Sequence, residues 1–226
     1  LKANLTNRLL FYIRNKRKFN KVLCFANIPP PIRLECTTFT YFHNKLFLAI
    51  PKNLSFLEKN ILYLKSKYIR HQSKNTDFWV VQTNQMKEDL LKKYYNNSSS
   101  KVLIYPFYRP LNRYLNNQIT RVSGTFVYVS TYNPHKNFER LIDGFVLFYN
   151  KYKKGELHLT LKKDTSDIII KIDSLVSKGY PILNHGFIDQ DSLISIYRKS
   201  EFIIYPSLLE SFGLGVIEGV ENGCKL

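Results

Sequence analysis

Residues 205–223 read YPSLLESFGLGVIEGVENG, and this stretch decides the fold. The apolar run just before it, Phe202–Tyr205, has strand character, and Pro206 stops it because proline cannot donate to a ladder. A loop, Ser207–Gly213, then leads into a helix. A strand handing over to a helix through a short loop is the unit of a parallel α/β sheet. Open sheets of this kind bind ligands beyond the carboxyl ends of their strands. The loop therefore delivers Glu210 to a ligand-binding edge. Gly213 and Gly215 flank Leu214 where the helix opens, and glycine lets backbone come close to a ligand. The helix N-terminus offers unpaired N–H groups and partial positive charge, which suit a phosphate. Glu218 lies about one turn into that helix. Two carboxylates with seven residues between them thus bracket a diphosphate site, one on each side.

The same alternation extends outward. Phe126–Val129 reads as a strand, 133–137 as a turn, and a helix follows with Phe138, Leu141, Ile142, Phe145 and Phe148 on one face. Residues 157–161, 182–187 and 202–205 read as strands, and 168–178 and 191–198 as helices. In the first half, 5–17 has helical spacing at Leu5, Leu9, Tyr12 and Ile13, and 57–70 has it at Leu57, Ile61, Leu64 and Tyr68. Strands are expected at 22–26, 38–42, 78–81 and 102–105. A further helix, Met86–Tyr95, follows the candidate caps Thr83 and Asn84. Residues 109–124 are polar without a period and read as a linker. The expectation is an α/β chain of two Rossmann-like domains, 1–120 and 121–226.

The charge supports that division. The net charge is +17, yet residues 1–120 hold 21 Lys/Arg against 5 Asp/Glu, and residues 121–226 hold 13 against 12. The first half should face something anionic: a membrane surface, a phosphorylated lipid or nucleic acid. A general lysine bias with solvated faces accounts for the lysines, but not for the scarcity of acids in one half. A hydrophobic content of 44% excludes wholesale disorder. No apolar run approaches the ~18–20 residues of a membrane span. Cys24, Cys36 and Cys224 form an odd set without a C-x-x-C pair, which fits reduced thiols, and no His/Cys spacing resembles a zinc site. Leu1 stands where a start Met would be, and no strand follows Gly223, so a fragment of a longer chain is expected.

Glu210 and Glu218 sit in the pattern P-S-x-x-E-S-F-G-L-x-x-x-E-x-x-x-x-G, with Pro206, Ser207, Phe212, Gly213, Leu214 and Gly223 in register. This resembles the retaining glycosyltransferases of family 4, which have the two-domain glycosyltransferase-B fold. Tyr128-Val129-Ser130, Pro134-His135-Lys136-Asn137 and the helix after them resemble that family's phosphate-binding turn. Gly186-Phe187-Ile188 with Leu193 and Tyr197 resembles its next segment. Asn27-Ile28-Pro29-Pro30, residues 40–44 and residues 81–86 resemble acceptor-domain segments of bacterial members. The resemblance implies two domains facing across a cleft, both incomplete here: an acceptor-side domain and a nucleotide-sugar donor domain.

It also implies roles. Glu218 would bond the donor's ribose hydroxyls and Glu210 its sugar hydroxyls. Lys136 would neutralise the departing diphosphate, helped by Ser207 and by backbone N–H groups from Gly213 through Leu214 to Gly215. His43 would contact the donor sugar from the first domain. No metal or cofactor is implied, since Lys136 and a helix N-terminus supply the positive charge. The reaction would move a hexose, with retention, from a nucleotide-diphosphate sugar to a glycan or lipid-linked acceptor. The setting implied is bacterial surface-polysaccharide synthesis (O-antigen, capsule or lipopolysaccharide). The enzyme would be cytoplasmic and peripheral at the inner face of the membrane, docked on an anionic surface, with no nucleic acid as partner. One departure stands out: the family often has Gly-Arg before the phosphate-binding Lys, and here Ser130-Thr131 take those places. Lys162 and Lys163 are candidates to replace the missing charge.

Other readings remain. His43 can be a satisfied strand-end histidine, Lys136 a solvated turn residue, and His135 and His185 turn formers. The helix at 5–17 can pack on its own sheet, lay a basic rim on anionic headgroups, or do both. A non-catalytic remnant of such an enzyme is the alternative function, and a basic nucleic-acid-binding protein, which lacks a reading motif, is a third.

Overall fold

A computed structural model describes residues 4–52, 54–95, 101–108, 120–163 and 166–226. The chain divides into two compact units, Leu1–Phe107 with Leu209–Phe212, and Tyr108–Leu208 with Gly213–Leu226. Most of the segment expected as a linker, 109–119, lies outside the described residues.

The first unit holds a parallel sheet in the order β1 (Lys21–Cys24), β2 (Thr37–Tyr41), β3 (Phe78–Val81) and β4 (Val102–Ile104). Its helices are α1 (Leu5–Asn15), α2 (Phe56–Gln72) and α3 (Asn84–Tyr94). Ser55 and Glu58 cap α2 reciprocally, which satisfies two helix-end donors. Thr83 caps α3, its Oγ1 accepting from Met86 N at 3.2 Å, and Asn84 is the first helical residue. The core gathers Phe42, Ile69, Trp79, Val81, Met86 and Leu90.

Two helices differ from their sequence patterns. The stripe Leu57, Ile61 and Leu64 points outward on α2 and is exposed, as is Phe56. The inward face is Leu62, Ser66 and Ile69 instead, because the Ser66 hydroxyl finds the Phe47 carbonyl (2.8 Å) and the Tyr94 hydroxyl (3.2 Å) inside. On α1 no residue is buried. That helix is held by polar contacts: the Arg8 guanidinium donates to the Ile28 and Pro29 carbonyls at 2.7 and 3.0 Å, and Tyr12 Oη lies 3.2 Å from Cys24 Sγ.

The second unit is also a parallel sheet, in the order β7-β6-β5-β8, from β5 (Val122–Tyr128), β6 (Glu156–Leu159), β7 (Ile182–Asn184) and β8 (Ser200–Ile203). Its helices are α4 (Phe138–Tyr152), α5 (Asp167–Ser177), α6 (Gln190–Lys199) and α7 (Leu214–Glu221). Four residues of the expected stripe on α4 are core, Phe138, Leu141, Ile142 and Phe145 packing on Leu157, Leu159 and the isoleucines of α5, whereas the fifth, Phe148, is half-buried against Phe126 and Tyr152.

Strand β5 starts earlier than its sequence suggests. Residues 122–124, expected as linker, are already strand, and the pairing with β8 shifts between Val122 and Phe126. Gly124 makes that irregularity possible at φ +78°, and its N–H is held by Glu201 Oε2 at 2.7 Å. A glycine in a polar run hid the strand. Arg121, just before it, donates to the carbonyls of Ser200 (2.7 Å), Tyr197 (3.3 Å) and Asn222 (2.5 Å), fastening β5 to the ends of α6 and α7. Beyond α7, Lys225 pairs in parallel with Phe202 on the outer side of β8.

Candidate functional site

The strand order of the second unit sets the place. From β5 the chain steps to β6 and β7 on one side, then returns to lay β8 on the other. The direction of winding reverses between β5 and β8, and loops diverging at such a point leave a crevice beyond the strand ends. The loop after β5 carries Lys136. The loop after β8 carries Ser207 and leads to Gly213, Leu214 and Gly215. The sequence-expected donor residues of this unit therefore gather at one switch point.

Hydrogen bonds tie the two loops together. Tyr128, at the end of β5, donates its hydroxyl proton to the Lys136 carbonyl at 3.2 Å. Its oxygen lies 2.8 Å from Ser207 Oγ. A phenol has one proton, so with that proton on Lys136 the serine is the donor to Tyr128. Leu208 N donates to the His135 carbonyl at 2.8 Å, and Asn137 Nδ2 to the Pro206 carbonyl at 3.1 Å. Asn137 sits in the left-handed region at φ 60°, which Asn tolerates better than most residues. It turns the chain from the Pro134–Lys136 3-10 turn into α4.

At the helix opening, Gly213 has φ +76°, and a Cβ there would come within 3.0 Å of Tyr205 Oη. A Cβ on Gly215 would lie 3.4 Å from the Val129 carbonyl. The start of α7 is thus pressed against the end of β5. The N–H groups of Leu214 and Gly215 precede the first helical bonds, so they point forward without intrahelical acceptors.

Glu218 projects from the first turns of α7 and is half buried. Tyr197, a fully buried residue of α6, donates to Glu218 Oε2 at 3.3 Å. Burial pushes the Glu218 carboxyl above its ordinary range; the Tyr197 hydrogen bond opposes this and the Glu221 charge adds to it. Burial, then the Glu218 charge, pushes the Tyr197 phenol far up, so the phenol stays a donor. Gly219, next along, is packed so tightly that a Cβ would run into Ile203 of β8, 3.2 Å from its Cβ.

Lys163 lies exposed beyond β6, with its stem over Gly186, which has φ +74°. Glu210 belongs to the segment Leu209–Phe212 of the first unit, whereas Glu218 belongs to the second. His43 follows β2 in the first unit. Its N–H and that of Asn44 donate to Asn27 Oδ1 at 2.7 and 2.9 Å, and its Nε2 lies 3.4 Å from Asn27 Nδ2. Burial holds the imidazole below its ordinary pKa, so it is neutral near pH 7. Asn27 itself is left-handed, at φ 65°.

Sequence reasoning missed three supporting residues: Tyr128, Tyr197 as partner of Glu218, and Asn27 as clamp of His43. Asn27 was legible as an Asn between a strand and prolines. The two tyrosines were legible only as members of segments resembling the family, and nothing in the sequence pointed to the partners of their hydroxyls.

No family model matches the sequence, and no curated protein does. Solved structures do. TarM superposes with a TM-score of 0.71 at 14% identity, over 99% of this chain and 44% of TarM. OtsA without ligand gives 0.66 at 14% identity, over 96% of this chain and 59% of OtsA. The pneumococcal O-GlcNAc transferase GtfA, solved with UDP and GlcNAc, gives 0.61 at 17% identity, over 84% of this chain and 36% of GtfA. The chain thus spans less than two thirds of the length of each. The fold is the glycosyltransferase-B fold that these structures share, with two parallel α/β units of Rossmann type.

Proposed function

We propose that this chain belongs to a retaining glycosyltransferase of family 4 type, which moves a hexose from a nucleotide-diphosphate sugar to a glycan or lipid-linked acceptor. The observation that carries it is the convergence of Lys136, Ser207, the α7 N-terminus and Glu218 on the switch point of one parallel sheet. The neighbours support the donor class. GtfA was solved with UDP and GlcNAc, and a TarM variant from S. aureus with UDP, alpha-GlcNAc-glycerol and fondaparinux.

In this reading Lys136 and the N–H groups of Leu214 and Gly215 hold the diphosphate. Their charge and dipoles are aimed at the oxygen on which negative charge develops, where such groups lower the barrier most. Glu218 accepts from the ribose hydroxyls; Tyr197 takes one lone pair of Oε2 and leaves Oε1 for the ligand. Ser207 spends its proton on Tyr128, so it meets the donor as an acceptor only. The bond from the anomeric carbon to the diphosphate oxygen breaks through an oxocarbenium-like state. The acceptor hydroxyl attacks from the face that the diphosphate leaves, and its proton passes to the diphosphate.

The work proposed for it is bacterial surface-polysaccharide assembly on an anionic cytoplasmic membrane face. One observation supports that location. The exposed apolar residues Leu5, Leu10 and Ile13 of α1 and Phe56, Leu57 and Leu64 of α2 lie in the strongly basic half, a combination that suits interfacial binding. No helix among the described residues is long and apolar enough to cross a membrane.

A donor screen tests the reaction. The chain is incubated with UDP-, GDP- and dTDP-hexoses, and mass spectrometry follows nucleoside diphosphate release. Release from one donor class, lost in Lys136→Ala, is expected. No release from any donor contradicts the catalytic reading and favours the remnant.

A further inference from the structure

Two histidines of the second sheet take part in none of the contacts described above. His158 lies within β6, and His185 follows β7 directly. His158 Nδ1 is 3.0 Å from His185 Nε2, and the ring planes are 14° apart. Both rings are partly buried. The turn that carries His185 is fixed from both sides. The His185 N–H donates to the Leu159 carbonyl at 2.9 Å, and Asn184 Oδ1 accepts from Leu161 N at 2.9 Å and from Gly186 N at 3.4 Å. The stem of Lys163 crosses this turn, with Cγ 3.7 Å from the position a Gly186 Cβ would take.

The protons of the pair can be placed. A neutral imidazole has one N–H, so one ring donates across the 3.0 Å and the other accepts. With His158 as donor, its Nε2 is a bare acceptor, buried without a hydrogen bond and facing Glu156 Oε2 at 3.5 Å. With His185 as donor, His158 carries its proton on Nε2, against that carboxylate. The second arrangement sets a proton rather than a lone pair against negative charge, so His185 Nε2–H donates to His158 Nδ1. The Nδ1 of His185 is then open to a further proton. Among the described residues Glu156, on β6, and Lys163, beyond it, are the charged groups that act on the pair. Burial holds both imidazoles below their ordinary pKa. The Glu156 charge opposes this at His158, whereas the charges of His158 and Lys163 add to it at His185. The pair is therefore neutral near pH 7.

We propose that His158 and His185 form one acid-sensitive switch that sets the place of Lys163. In the neutral pair the lysine stem rests over Gly186. A proton taken at His185 Nδ1 keeps the bond to His158 but makes the ring a cation beside Lys163, and like charges repel. The ammonium swings off the turn. A second proton puts hydrogen on both facing nitrogens, parts the rings and frees the turn Asn184–Gly186. Lys163 is one of the two lysines expected to replace the charge missing at Thr131. On the glycosyl-transfer reading, acid therefore weakens donor binding; the switch itself stands without that reading.

Side-chain nitrogen NMR of the histidines in the whole chain, from about pH 8 to 5, tests this. The rings should titrate as one pair, in two steps that both rings report. Lys163→Met should raise the upper step by about twofold or more in proton affinity, because coupling between two sites is reciprocal. The Lys163 Cε signal should follow that step in the wild type, and His158→Phe should leave His185 a single step. Independent single steps at the two rings of the wild type, or an upper step unmoved in Lys163→Met, overturns the switch. Both of those measurements keep the pair intact, so they decide the matter even where His158→Phe fails to fold. UDP titrated over the same range separates the two readings. Affinity that falls with the upper step in the wild type, and not in Lys163→Met, supports the link to the donor, and affinity that ignores the step overturns that link. No UDP binding at any pH contradicts the donor assignment and leaves the switch to the histidine spectra.

Discussion

The hydroxyl of Tyr197, on α6, donates to Glu218 Oε2, on α7, across 3.3 Å. A fully buried side chain thus orients a half-buried carboxylate at the strand-order reversal of the second unit. That carboxyl is costly to ionise where it sits, because burial raises its pKa. Such a cost is tolerated where a ligand repays it, and perturbed carboxyls are enriched at functional sites.

The pH dependence follows with a definite sign. Glu218 holds its proton to higher pH when folded than when unfolded, so the folded state binds more protons just above the ordinary carboxylate range. Stability contributed by this group is therefore present at acid pH and lost as pH rises through that window. Glu218→Gln should gain on the wild type in thermal melts as pH rises from 4 toward 7, on the order of the carboxylate window. A gap that stays constant with pH contradicts the assignment.

Two glycines should respond oppositely to alanine. Gly219→Ala drives a Cβ into Ile203, and overpacking of this kind costs about 1–3 kcal/mol. Gly144 lies in α4 with nothing within 4 Å of its Cβ position, so Gly144→Ala should stabilise by about 0.5–1 kcal/mol. Urea unfolding of both variants checks the pair.

Asn137 tests the loop tie. Asn137→Ala strains a left-handed position and removes the bond to the Pro206 carbonyl, for a loss of about 2–3 kcal/mol. Asn137→Gly relieves the strain alone, so it should recover only part of that loss in chemical denaturation. Equal losses in both variants would mean that the hydrogen bond carries the whole effect.

How much of this was legible in the sequence varied with the physics behind each signal. The α4 stripe and the strand Phe78–Val81 were plain, because burial imposes periodicity. The E-x7-E segment was plain because its glycines are forced by backbone conformation and close approach, as Gly213 and Gly219 show. The inward face of α2 was not, since it is built partly on Ser66, whose partners come from distant segments. The start of β5 was hidden by a glycine bulge in a polar run. Tyr128 and Tyr197 act through hydroxyls that no pattern of apolar residues announces.

The exposed residues of α1 and α2 give a lipid test. Vesicles with anionic headgroups should pull down the protein at low salt and release it as ionic strength rises, since each Lys or Arg near the surface adds about 1 kcal/mol that salt screens. Leu5→Ser with Leu57→Ser should reduce this binding. Equal sedimentation with neutral vesicles would count against an anionic membrane as partner.

The most direct measurement of the central claim is the affinity of the chain for UDP and GDP by titration calorimetry, in wild type, Tyr197→Phe and Glu218→Ala. One nucleotide should bind the wild type. Tyr197→Phe should weaken it about threefold, and Glu218→Ala at least tenfold, about 1.4 kcal/mol. Identical affinities in wild type and Glu218→Ala would contradict the placement of a nucleotide-sugar site at the switch point of the second sheet.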